Sequence, residues 1–81
     1  KEQKVELIRM ARKNSIEIEN LLGEEITVNL KGGQDIEGTL TEFDEYMNLV
    51  LKNAKEHRKD GEVKDHELII VKGGNIRAIT S

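Results

Sequence analysis

The sequence predicts an all-β domain: a five-stranded, strongly bent antiparallel sheet, a small open barrel, capped by an N-terminal α-helix. Three observations carry this. Apolar residues sit mostly two apart on both sides of Phe43-Asp44-Glu45-Tyr46, the period of strands with one buried face. Glycine pairs punctuate the chain at Lys31-Gly32-Gly33-Gln34 and Lys72-Gly73-Gly74-Asn75, where tight turns between strands are expected. Before Gly23 the spacing changes to that of a helix.

In order, Lys1 to Lys13 reads as helix, with Val5, Ile8 and Ala11 on one stripe and neither glycine nor proline. Asn14 and Glu17 fit a capping box, so a second helical segment is expected to carry Ile18, Leu21 and Leu22 inward and to stop at Gly23. Residues 1–14 are read as a helical extension and 15–81 as the domain. Ile26-Thr27-Val28-Asn29-Leu30 alternates strictly and is the first strand. The second runs from Asp35 to about Phe43, with Ile36 and Leu40 inward, and Gly38 in its middle marks a sharp bend. A third strand starts at Met47 or Asn48 and continues towards Glu56, followed by a polar turn at Arg58-Lys59-Asp60-Gly61. The fourth, Glu62 to Lys72, ends in the continuous apolar run Leu68-Ile69-Ile70-Val71, which requires cover on both faces. Ile76 to Ile79 is the last strand.

Composition limits what such a domain can do. Eighty-one residues hold no cysteine, which excludes disulfides and thiolate metal sites, and leave self-association as the means of reinforcing a thin core. No apolar run approaches the roughly 20 residues of a membrane span, and no signal peptide is visible, so a soluble cytoplasmic protein is expected. The net charge is −3, and residues 24–81 hold eight Lys/Arg against twelve Asp/Glu, so any nucleic-acid site must be local. An open sheet has two edges. Complementary edges can close head to tail into a ring.

The Phe43–Asn48 connection carries an acid, a ring and an amide at alternate positions, Asp44, Tyr46 and Asn48, more than a turn needs. Asp44 with Glu42 and Glu45 could suggest paired catalytic carboxylates. No nucleophile, histidine or metal ligand accompanies them, so a solvated turn is the better reading and no catalytic residue, metal or cofactor is assigned. Neither glycine pair has the spacing of a phosphate-binding loop. His57 and His66 read as exposed strand or loop residues in a charged stretch.

Gly38-x-Leu40 with Phe43-Asp44-x-Tyr46-Met47-Asn48-Leu49-x-Leu51 resembles the first Sm motif, and Ile70-Val71-Lys72-Gly73-Gly74-Asn75-Ile76 resembles the second. The likeness spans about Ser15 to Thr80 and is greatest to the archaeal Sm-like proteins. It implies a homo-oligomeric ring, a heptamer with a hexamer as the alternative, binding uridine-rich single-stranded RNA at its pore in RNA processing or ribonucleoprotein assembly. The resemblance puts a uracil against the Tyr46 ring, the Asn48 amide on its Watson–Crick edge and Lys72 over its other face. Asp44 would orient Asn48, and Gly73 would let backbone approach the ligand, with Gly74 beside it. The family usually has arginine where Lys72 stands and often asparagine or aspartate where Gly74 stands, which implies weaker stacking on that face. The other reading is a structural ring that engages proteins, with residues 1–13 as its docking surface.

Overall fold

A computed structural model describes residues 18–81. The helix expected over residues 1–13, the capping box at Asn14 and the division at residue 14 lie outside the described residues. What is described of the lead-in is a helical turn at Ile18 and Glu19, closed by Leu21 N–H to Ile18 O at 2.9 Å. Ile18 and Leu21 are buried as expected, whereas Leu22 is exposed next to Gly23, whose left-handed conformation (φ 83°) ends the turn before a further helical residue could join that face. Gly23 N–H then bonds Leu40 O at 2.8 Å, which ties the lead-in to the sheet.

Five strands follow: β1 (Glu25–Leu30), β2 (Asp35–Phe43), β3 (Leu49–His57), β4 (Val63–Val71) and β5 (Ile76–Thr80). They form one antiparallel sheet in the order β4-β3-β2-β1-β5, so β4 and β5 are its free edges. Alternation does what the pattern requires. Ile26 and Val28 of β1, Ile36 and Leu40 of β2, and Leu49 and Leu51 of β3 are all buried and meet Ile76 and Ile79 of β5 in one cluster. Each such side chain stabilises the fold by roughly 1.5–3 kcal/mol.

The bend lies where glycine predicts it. Pairing passes from Glu37↔Lys55 to Thr39↔Lys52, leaving Gly38 opposite an extra residue of β3, and Asn53 takes up the excess with φ 52°. A Cβ on Gly38 would stand 3.1 Å from the Ala54 Cβ and 3.2 Å from the Leu51 Cβ, so the missing side chain lets the two strands close on each other. A second register shift between Leu40 and Glu42 adds curvature.

Several strand ends differ from expectation by a residue or two, and the turns differ in detail. β3 begins at Leu49, because Met47 has φ 65° and cannot continue a strand. In the first turn Gly33 alone of the glycine pair is left-handed (φ 99°), and Leu30 N–H to Gln34 O at 2.9 Å closes the hairpin. The apolar run of β4 is covered on one face: Val71 is buried, while Leu68 and Ile70 are 61% and 64% exposed along a free edge. In the single chain the expected double cover is therefore missing.

Candidate functional site

The β2–β3 loop is built around one carboxylate. Asp44 Oδ1 accepts the backbone N–H groups of Tyr46 and Asn48, both at 2.9 Å, and Oδ2 accepts Asn48 Nδ2–H at 3.0 Å. These bonds favour the ionised form and hold the Asp44 pKa below the ordinary carboxylate range, the backbone N–H of Asn48 contributing most. The loop also closes on itself through Met47 N–H to Asp44 O at 3.0 Å and Asp44 N–H to Asn48 O at 3.2 Å. Met47 is its anchor. The side chain is buried, and fixing it inward turns its two neighbours the other way. Tyr46, at 72% exposed, presents its ring to solvent.

Asn48 faces the second motif. Its Oδ1 accepts the Gly73 backbone N–H at 2.8 Å across 25 positions of sequence. Because Gly73 N–H can only donate and an ionised Asp44 can only accept, the amide has one permitted orientation: oxygen to Gly73, nitrogen to Asp44. One N–H and one lone pair remain for a ligand. Gly73 begins a 3₁₀ turn, Gly73–Asn75, and is itself buried. A Cβ there would collide with the Tyr46 carbonyl oxygen and approach the Met47 carbonyl carbon to 2.9 Å. Gly73 is thus small so that the two loops can pack. This packing is a reason for glycine beside the expected approach of backbone to a ligand. At Gly74, by contrast, an added Cβ meets nothing within 4 Å.

Asn48 and Lys72 line one recess of about 230 Å³ together with Glu42, Phe43, Asp44, Val50 and Ile70. The structure therefore brings together Asp44, Asn48, Lys72 and Gly73, whereas Tyr46 stands on the loop crest outside that lining and Gly74 on the open side of the turn. A larger recess, about 320 Å³, lies along the β3–β4 ribbon between Asn53 and Glu67 and has mixed charge.

One cluster was not legible in the sequence. His66 Nε2 lies 2.9 Å from Glu56 Oε1, and Arg58 Nε lies 3.5 Å from Oε2 of the same carboxylate. The His66 hydrogen bond, ahead of the Arg58 charge, lowers the Glu56 pKa. His66 is half-buried, against the expectation of an exposed residue. The signal was the period: Glu56 and His66 sit ten apart across a hairpin, and Glu56↔Lys64 pairing places them diagonally. Among the described residues, no three His, Cys, Asp or Glu side chains converge as a metal-binding group.

The two loops now in contact are the two motifs read from sequence, and the LSM domain family model matches residues 16–81. The chain belongs to the LSM family. Relatives bear this out. An snRNP Sm-like protein of Methanosarcina barkeri is 36% identical over 59 residues, 73% of this chain and 82% of its own. Small nuclear ribonucleoprotein F of Schizosaccharomyces pombe is 37% identical over 59 residues, 73% of this chain and 76% of its own. A heptameric archaeal Sm protein superposes with a TM-score of 0.73 at 30% identity, covering 82% of this LSM chain and 96% of that one. The Pyrococcus abyssii Sm protein in complex with a uridine heptamer gives a TM-score of 0.73 at 31% identity, covering 84% and 97%.

Proposed function

We propose that this LSM chain assembles into a homo-oligomeric ring, a heptamer, that binds uridine-rich single-stranded RNA at the Asp44–Asn48 loop and serves as a non-catalytic RNA-binding module. The observation that carries the reading is the locked Asn48 amide. Uracil offers an acceptor at O4 beside a donor at N3, and cytosine offers the same two functions in the reverse order. An amide free to flip would serve both. One whose oxygen is held towards Gly73 and whose nitrogen is held towards Asp44 serves one of them for a given strand direction. The exposed Tyr46 ring is a platform for stacking, worth about 1–3 kcal/mol per base, and Lys72 adds charge beside the amide. The ring is supported by the two free edges, β4 and β5, by the uncovered Leu68 and Ile70, and by the heptameric neighbour.

Fluorescence anisotropy with oligo-U and oligo-C across salt tests it. Tyr46→Ala is expected to weaken both oligonucleotides, Asn48→Ala to erase the preference for U, and Lys72→Ala to flatten the salt dependence. Lys72→Arg should tighten binding, since a guanidinium plane can lie on a base and an ammonium cannot. Absence of binding at low salt would leave the structural-ring reading, favoured by Lys72 and Gly74, in its place.

A further inference from the structure

We infer that Lys31, in the β1–β2 turn, supplies a phosphate-binding position for the RNA strand whose base occupies the Asn48 site. The inference rests on the RNA-binding reading above. Its basis is a continuous run of hydrogen bonds. Lys31 N–H donates to Asn75 O at 2.8 Å, Asn75 N–H donates to Lys72 O at 3.0 Å, and Gly73 N–H donates to Asn48 Oδ1 at 2.8 Å. Three segments far apart in sequence, the β1–β2 turn, the 3₁₀ turn and the β2–β3 loop, are thereby held as one unit. Lys31 follows Leu30, whose pairing with Ile76 fixes the end of β1 against the start of β5 directly after that turn.

Among the described residues the Lys31 backbone bonds Asn75, and no hydrogen bond or ion pair engages its side chain. It is exposed, and the ion pairs among the described residues occupy Lys55, His57, Arg58 and His66, not Lys31 or Lys72. Of the other cations, Lys59 lies with its stem against Gly33 of the same turn, whereas Lys52, Lys64 and Arg77 sit within β3, β4 and β5. Lys72 directly precedes the 3₁₀ turn and the Lys31 backbone is bonded to its end, so two of the six described lysines and arginines outside those ion pairs meet at one turn of an acidic chain. A flexible ammonium is a point charge suited to a phosphodiester, which carries no base identity, so Lys31 adds affinity without preference.

The test uses the full chain with labelled oligo-U and oligo-C over a salt series, comparing wild type, Lys31→Ala, Lys31→Arg and Lys64→Ala as a cation on the opposite edge. Lys31→Ala is expected to weaken U and C by the same factor, about threefold or more at low salt, leaving their ratio unchanged. It should also make the slope of log K against log salt shallower by up to about 0.7 for each phosphate no longer neutralised. Lys31→Arg should restore both, and Lys64→Ala should match wild type. A wild-type slope in Lys31→Ala, or an equal loss in Lys64→Ala, overturns the assignment. If wild type binds and Tyr46→Ala weakens it while Lys31→Ala does not, Lys31 is wrong and the RNA reading stands; if wild type binds neither oligonucleotide, both fall.

Discussion

Gly73 donates its backbone N–H to the Asn48 side-chain oxygen at 2.8 Å, and this bond joins the two loops that the sequence presents as separate motifs. Its consequence is that either loop reports on the other. Gly73→Ala drives a methyl group into the Tyr46 carbonyl oxygen, so the turn must retreat and the bond must lengthen or break. The expected result is an Asn48 amide held by Asp44 alone, with the U over C preference reduced and oligo-C affinity retained. Paired anisotropy titrations read this directly; a fully preserved preference would show that the Asp44 bond alone sets the amide.

Asp44 gives a pH dependence with a definite sign. Its folded pKa lies below the ordinary value of 3.8, so its contribution to stability is fully present above that value and is lost as pH falls through the lower folded one. Urea midpoints of wild type and Asp44→Asn should therefore differ most near neutrality and converge as pH drops below about 4. A gap that widens in acid would contradict the bonding pattern. Glu56, also lowered, acts in the same direction, and Glu56→Gln is expected to behave likewise.

Gly38 is a packing requirement. A valine there has its Cβ within 3.2 Å of the Ala54 Cα and Leu51 Cβ, both on the facing strand, and its two methyl groups have nowhere to go. Gly38→Val should cost roughly 1–3 kcal/mol in chemical denaturation, the usual range for overpacking. A neutral effect would mean that the bend is less tight than the register shift implies.

Ile70 separates folding from assembly. It is 64% exposed in the single chain, so Ile70→Lys is expected to fold with an unchanged circular dichroism spectrum. In a ring closed through β4 and β5 the same residue would lie beside an interface, and native mass spectrometry should then find smaller species. Full rings at wild-type abundance would exclude this edge as the interface.

The alternation of Ile26, Val28, Ile36, Leu40, Leu49 and Leu51 was enough to place three strands and their buried faces, because a two-residue period admits one assignment of sides. Gly38 was enough to place the bend, since only a residue without Cβ permits strands so close. Asp44, Tyr46 and Asn48 were legible from residue type as the candidate loop, and the structure links Asp44 to the backbone of Tyr46 and to Asn48. Local pattern says nothing about which atoms face each other, however. The burial of Met47 at positive φ, the orientation of the Asn48 amide, the reason Gly73 must be small and the pairing of Glu56 with His66 each depend on a residue from another element. So does the link from Lys31 to Asn75. The Asn48–Gly73 and Glu56–His66 relations follow from β3–β4 pairing, Leu49↔Val71 and Glu56↔Lys64, and the Lys31 link from β1 pairing with β5, contacts between segments that only the folded sheet creates.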